Sequence, residues 1–288
     1  MLEFEKKSTC IVGLGKIGFS YDYNSNSKIK THFKAINNSK YFNLEAGVDL
    51  NKKKINGSKI PIFKNIKDLS KNFSPYFLII SVPTKYHAKI FNDSMKYLKP
   101  KIILFEKPFT QNLKEAKKIV NLCKKKKIFL FINYIRNYLP NLIKLKKITK
   151  NKKVLVTLMY SGNFLSNFCH YFYLFDHLFG SRPLSKINNL ETMFCNCTLK
   201  IKKISKKRND NIKIIGKNFS IHWKNNNIVK IRTGLNVKNL SVDLDNYQYY
   251  VINNIAQKVF FKKKKVTIEG NKALKFHKIF HDKKAKIS

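Results

Sequence analysis

The sequence predicts an α/β protein in two parts: an N-terminal doubly wound parallel sheet, and a C-terminal α/β domain with an open, mainly antiparallel sheet. Three observations predict it. Apolar segments of strand length alternate with amphipathic helical segments over residues 8–134, as in parallel strands joined by crossover helices. Strand-like segments then follow one another between residues 191 and 244 with short polar connections and no intervening helix, the pattern of an antiparallel sheet. Between the first strand and the alternating region lies a glycine-rich turn, Gly13-Leu14-Gly15-Lys16-Ile17-Gly18. The domains are accordingly placed at residues 1–135 and 136–288.

Residues 8–13 read as a short buried strand running into that turn, which should open a helix. Residues 44–49 form a second strand ending on Asp49, and a helix is expected near residues 66–72. The apolar run 76–82 suits a parallel strand covered on both faces. A helix over 86–98, a strand over 102–105, a helix over 113–124 with apolar residues at helical spacing, and a strand over 128–133 complete the first domain. In the second, 154–160 is a strand and 167–179 a helix. Strand-like segments follow at 191–202, 211–223, 228–233 and 240–244, and helices near 249–261 and 271–281 close the chain.

Composition narrows the function classes. The chain of 288 residues carries a formal charge of +43, which would ordinarily point to nucleic acid or an anionic membrane. Lys, Asn, Ile and Phe are enriched together, however, while arginine is confined to Arg136, Arg182, Arg208 and Arg232. AT-rich codon usage produces that profile, whereas nucleic-acid readers favour the arginine fork. The lysines are also spread along the chain, so nucleic acid is not the expected partner, although the charge can draw anionic substrates or cofactors. No apolar run approaches the ~20 residues of a membrane span. Residues 1–6 lack a basic start followed by an apolar core, so no signal peptide is expected and the location is read as cytoplasmic. Five cysteines without framework or ligand spacing are read as reduced thiols, with no metal site.

The turn Gly13-x-Gly15-x-x-Gly18 has the context that gives such a fingerprint meaning, a strand before it and a helix expected after. The first glycine permits the tight turn, the second lets a pyrophosphate approach the backbone, and the third lets helix and strand pack closely. Free N–H groups around Gly15, Lys16 and Ile17 would then bind the phosphates of NAD or NADP in a Rossmann domain. Asp49 is placed to accept from the adenine ribose, which favours NAD, while Lys52, Lys53 and Lys54 could compensate the extra phosphate of NADP. Asp49 lies 31 residues beyond Gly18, further than the usual ~20. A polar insertion near residues 21–30 must therefore be looped out.

These pieces resemble the Gfo/Idh/MocA family, the glucose–fructose oxidoreductase and inositol dehydrogenase-like enzymes, over nearly the whole chain. The matching segments are Gly13–Gly18, Ala46-Gly-Val-Asp49, Ser81-Val-Pro-Thr-Lys-Tyr-His87, Phe105-Glu-Lys-Pro108, Asn133-Tyr-Ile-Arg136 with Pro140, and Asn167-Phe-Cys-His170. The resemblance implies an NAD(P)-dependent oxidoreductase acting on a sugar-like, cyclitol or nucleotide-sugar alcohol or ketone, with surface glycan biosynthesis as one setting. It places Lys107 near nicotinamide and substrate, where a cation stabilises a developing alkoxide. Glu106 would hold the lysine or contact the cofactor, and Ser81, Pro83 and His87 would line the cofactor, His87 as a shaping rather than a catalytic group. His170 is the proton carrier at the substrate, or else a histidine packed in an aromatic core. Asn167 could bind a substrate hydroxyl. Arg136 could clamp an anionic group of a substrate or pair with an acidic residue and hold the domains together.

The chain departs from the family pattern at one position. Three residues after the histidine many relatives carry an acidic residue or Asn, and this chain has Tyr173. Tyr173 could donate a proton, stack on a substrate or simply pack, and Asp176 could partly replace the missing acid. That departure, with a short second domain, motivates the alternative of a catalytically impaired, nucleotide-binding regulatory relative. The open sheet of the second domain would offer a broad face for a homo-oligomer.

Overall fold

The structure is a computed structural model that describes residues 4–51, 60–161, 167–183, 186–187, 189, 191–204, 210–224, 226–261 and 269–282. The chain divides into two compact units, Met1–Asn133 with Asp245–His277, and Tyr134–Leu244 with Lys278–Ser288. A single boundary at 135/136 therefore does not describe it: most of the C-terminal helical segment, expected in the second domain, packs with the first. Backbone hydrogen bonds from Ile29 N–H to the Asp245 carbonyl (3.0 Å) and from Gln248 N–H to the Ile29 carbonyl (3.3 Å) anchor that return.

In the first unit the order is β1 (Lys7–Val12), α1 (His32–Asn37), β2 (Phe42–Val48), β3 (Ile62–Phe63), α2 (Ile66–Ser70), β4 (Phe77–Ile80), α3 (His87–Tyr97), β5 (Ile102–Phe105), α4 (Leu113–Lys125) and β6 (Phe129–Ile132). The sheet order is β3-β2-β1-β4-β5-β6 with every pairing parallel. The strand order reverses between β1 and β4, so their carboxyl ends form the switch point at which doubly wound sheets bind ligands. Every residue of β4 and β5 is buried, as helices on both faces require. Thr31, Asn65 and Asn112 accept from backbone N–H groups at the starts of α1, α2 and α4, satisfying donors that a helix leaves unpaired.

The glycine turn does not open a continuous helix, contrary to expectation. Residues 15–19 make one helical turn, closed by Phe19 N–H on the Gly15 carbonyl at 2.8 Å. The chain then leaves, and it returns as α1, whose His32 and Phe33 N–H groups bond the Ile17 and Gly18 carbonyls at 3.0 Å each. The insertion is thus spliced into the helix after its first turn. Asp22 closes it: the buried carboxylate accepts from the N–H groups of Lys30 (2.5 Å) and Thr31 (3.1 Å) and from the Thr31 hydroxyl (2.8 Å).

The second unit contains α5 (Pro140–Lys144), α6 (Lys146–Thr149), β7 (Val154–Ser161), α7 (Cys169–Phe179), β8 (Cys197–Ile204), β9 (Asn211–Ile215), β10 (Phe219–Trp223), β11 (Ile228–Thr233) and β12 (Asn236–Ser241). Its sheet runs β12-β11-β10-β9-β7-β8, antiparallel except for the β7–β8 pair. The segment 211–223, read as one strand, is a hairpin turned at Gly216, whose N–H bonds the Phe219 carbonyl at 2.9 Å. Residues 191–196 precede β8 without joining it, and the last strand lies earlier than 240–244. Val154, Val156, Leu158 and Tyr160 alternate inward along β7, and eight side chains of α7 are buried. The chain closes with α8 (Tyr247–Ala256) and α9 (Gly270–Asp282).

Candidate cofactor and catalytic site

The three glycines have different physical reasons to be glycine. Gly13 has φ +94°, and a Cβ there would lie 2.8 Å from the Ser81 carbonyl carbon and the Val82 nitrogen. A Cβ on Gly18 would lie 2.1 Å from the Gly13 carbonyl oxygen. At Gly15 a Cβ would meet nothing within 4 Å, so the fold alone does not demand glycine there. Among the described residues, the N–H groups of Gly15, Lys16, Ile17 and Gly18 donate to no other group. This row of donors at the start of a helical turn, beside an open glycine, fits a phosphate.

The surrounding residues brace the turn. Asp49, one residue past β2, accepts from the Leu14 N–H at 2.8 Å and from the Asn51 N–H at 2.9 Å. The hydroxyl of Ser81 donates to the Gly13 carbonyl at 2.6 Å. Pro83 precedes a short 3-10 turn that leads into α3. His87 begins α3 wholly buried, with Nδ1 2.9 Å from the Phe109 carbonyl oxygen and Nε2 2.9 Å from that of Val82. Burial lowers its pKa, and the opposing pull of the two carbonyls and of Glu106 and Glu115 does not restore it. His87 therefore ties the loop after β4 to the loop after β5. Lys52, Lys53 and Lys54 lie outside the described residues.

Glu106 follows β5 and enters a buried polar cluster that sequence reasoning missed. Its Oε1 accepts from His32 Nε2 at 2.8 Å and from Asn133 Nδ2 at 2.5 Å, and its Oε2 from the Lys107 N–H at 3.3 Å. Gln248 of α8 completes the cluster, its Nε2 2.6 Å from His32 Nδ1 and its Oε1 accepting from Asn133 at 3.2 Å. Burial disfavours the Glu106 carboxylate, but the hydrogen bonds of His32 and Asn133 and the nearby charge of Lys107 outweigh it and hold its pKa below the usual carboxylate value. Lys107 is half-buried between Glu106 and the cis-linked Pro108.

In the second unit, His170 lies buried in the first turn of α7, with the Tyr134 ring edge-on at 6.4 Å. Asn167 donates to the Ser161 carbonyl at 2.6 Å. Tyr173 is buried with one face of its ring stacked on Tyr134 at 3.6 Å. Burial first, and Tyr134 second, push its pKa well up. Asp176 accepts with Oδ1 from the Ser181 N–H and hydroxyl at 3.2 and 2.5 Å, closing the end of α7. Arg136 is buried, its guanidinium over the Tyr171 ring (4.5 Å) and near Trp223 (5.6 Å). It donates to the Tyr171 hydroxyl at 3.3 Å, which donates to Asp210, itself held by Ser161. Arg136 is thus linked through Tyr171 to an acidic residue of its own unit.

Among the described residues no three of His, Cys, Asp or Glu converge on a metal position, and no helix is long and apolar enough to cross a membrane.

Residues 7–134 match the family model GFO_IDH_MocA, described as an oxidoreductase family with an NAD-binding Rossmann fold. Comparison with curated proteins by sequence gave no match. Solved structures share the fold over both units. The transcriptional regulator Gal80p from Kluyveromyces lactis aligns with a TM-score of 0.75 at 13% identity, covering 98% of this chain and 92% of its own. An oxidoreductase from Agrobacterium radiobacter in complex with NAD+, L-tartaric acid and magnesium gives 0.71 at 12% identity, covering 96% and 95%. The UDP-N-acetylglucosamine 3-dehydrogenase GnnA from Acidithiobacillus ferrooxidans gives 0.70 at 15%, covering 94% of each chain.

Proposed function

From the match of residues 7–134 to the Gfo/Idh/MocA oxidoreductase family model with its NAD-binding Rossmann fold, we propose that the protein is an NAD(P)-dependent dehydrogenase or reductase. Its substrate is a sugar-like, cyclitol or nucleotide-sugar alcohol or ketone, and a role in surface glycan biosynthesis is consistent with that class. The observation that carries the proposal is the row of unpaired N–H groups from Gly15 to Gly18 at the switch point of the parallel sheet. Those groups hold the pyrophosphate, Gly13 and Gly18 shape the turn, and Asp49 meets the adenine ribose. Ser81, Pro83 and His87 shape the nicotinamide end. The nicotinamide, when bound, supplies or takes up the hydride. Lys107 places its ammonium beside the substrate oxygen and stabilises the charge that develops there. His170 takes or returns the hydroxyl proton, and Asn167 orients the substrate.

Titration of the purified protein with NADH and NADPH, followed by nicotinamide fluorescence, tests this directly. Binding of one of them by the wild type, and turnover on a sugar panel that Lys107→Ala abolishes, are the expected results. Failure to bind either at high micromolar concentration overturns the proposal.

A regulatory relative that binds the cofactor without turning over is the second reading. Tyr173, buried against Tyr134 where the family resemblance leads one to expect an acidic residue or Asn, favours it, as does the likeness to a transcriptional regulator. Cofactor binding without turnover across the panel separates the two.

A further inference from the structure

The buried cluster around Glu106 has one self-consistent arrangement of hydrogens. Asn133 lies between two oxygens, Glu106 Oε1 at 2.5 Å and Gln248 Oε1 at 3.2 Å. Only its NH2 group can serve both, because its own carbonyl would repel each of them. Gln248 accepts there with its oxygen and so turns its own NH2 toward His32 Nδ1, 2.6 Å away. An amide NH2 only donates, so Nδ1 must be the acceptor and the imidazole hydrogen sits on Nε2. Nε2 faces Glu106 Oε1 at 2.8 Å. With Oε1 taking two donors, Oε2 is left to the Lys107 N–H. At the other end of the segment the Phe109 carbonyl meets His87 Nδ1, and the Phe109 ring packs edge-on against Phe105 at 5.2 Å. Lys107 therefore sits between two anchored neighbours.

We propose that His32 and Gln248 are positioning residues for Lys107: Gln248 fixes His32 as the Nε2–H tautomer, His32 fixes the Glu106 carboxylate, and Glu106 fixes the backbone at Lys107. The pair comes from distant parts of the sequence, 216 residues apart. This explains why the C-terminal segment returns to the first unit at this point. The functional meaning of the device rests on the role proposed for Lys107, whereas the device itself can be tested without any cofactor.

The experiment is nitrogen-15 NMR of the full chain, reading the His32 ring nitrogens and the Lys107 amide. In the wild type, Nδ1 is expected at the shift of an unprotonated ring nitrogen and Nε2 at that of a protonated one. Gln248→Glu replaces the donor with an acceptor, so Nδ1 becomes protonated. The Lys107 amide resonance moves with it, while the amides of Gly15 and Lys16 stay in place. Gln248→Met, which removes the donor without adding charge, also shifts the Lys107 amide and serves if the first variant does not fold. A protonated Nδ1 in the wild type, or a Lys107 amide unmoved in the folded variants, overturns the inference. Loss of the oxidoreductase reading has a separate signature: the wild type binds neither NADH nor NADPH while the tautomer and amide shifts remain as stated. Where cofactor does bind, the losses in affinity of Gln248→Glu and Lys107→Ala are non-additive in the double variant, since both act through one group.

Discussion

Asp49 accepts a hydrogen bond from the Leu14 backbone N–H at 2.8 Å, so the residue proposed to meet the adenine ribose also supports the glycine turn. The two roles separate by substitution. Asp49→Ala removes both, and a hydrogen bond to a charged group is worth about 1.5–3 kcal/mol. Because Asp49 is half-buried, a loss near the lower end, about 1.5 kcal/mol, is expected in urea unfolding. Asp49→Asn keeps an acceptor for Leu14, so most stability returns while the ratio of NADPH to NADH affinity rises. An unchanged ratio in Asp49→Asn would remove Asp49 from cofactor selection.

The glycine turn makes a second prediction, because its three glycines are not equivalent. Gly13→Ala meets backbone 2.8 Å away in a left-handed conformation, and strain of this kind costs about 1–3 kcal/mol before any cofactor is considered. Gly15→Ala meets nothing within 4 Å, so the melting temperature is expected to hold or rise slightly, as the unfolded chain loses freedom. Cofactor affinity nevertheless falls, because the new methyl stands where a phosphate approaches. Calorimetry paired with fluorescence titration checks both halves, and an unweakened Gly15→Ala would place the phosphates elsewhere.

Much of the first sheet was legible because its strands are continuous apolar runs covered on both faces. The segments 102–105 and 228–233 coincide with β5 and β11, and the glycine turn was legible because its demands are local. The hairpin at Gly216 was read as one strand since Asn211–Ile215 and Phe219–Trp223 each alternate and only three residues separate them, although the inward positions change phase across the turn, from 212 and 214 to 219, 221 and 223. His32 and Gln248 carried no signal, since their partners lie 74 and 216 residues away and no periodicity links them. His32 could have been found by removing the insertion, which returns it to the helix that follows Gly18. The surroundings of Tyr173 and Asp176 were not legible for another reason. A helical position shows which residues share a face, whereas Tyr134 and Ser181, outside the helix, decide what those side chains do.

Acid should loosen the fold in two stages. His87 has a folded pKa below its ordinary 6.5, with burial as the largest cause. Between those values the unfolded chain binds the extra proton, so the stability His87 contributes is complete above about pH 6.5 and is lost as pH falls toward the folded value. Glu106 acts in the same sense lower down: its folded pKa lies below 4.5, so its contribution is complete above about that pH and is lost as the carboxylate is forced to protonate. Urea unfolding from pH 8 to pH 3 should therefore show two declines. His87→Asn is expected to flatten the upper one and leave the lower in place, while an upper decline of equal depth in the variant would assign it to another group.

Arg136 decides between support and recognition in the second unit. Its guanidinium is buried over Tyr171 and near Trp223, and through the Tyr171 hydroxyl it is linked to the buried Asp210. Removing the guanidinium takes a charged hydrogen-bond donor, worth about 1.5–3 kcal/mol, from the buried Tyr171 hydroxyl beside Asp210, together with its packing over two rings. Arg136→Ala is therefore expected to lower stability by about 3 kcal/mol. Arg136→Lys should recover only part of this, because a lysine offers a point charge where the planar guanidinium lies over an aromatic face. A residue whose main work was to clamp an anionic substrate would behave otherwise, raising KM while the unfolding midpoint stayed within about 0.5 kcal/mol of wild type, as surface substitutions do. Measuring the unfolding midpoint of the alanine variant before any substrate is known is sufficient, since the two roles predict losses that differ about sixfold.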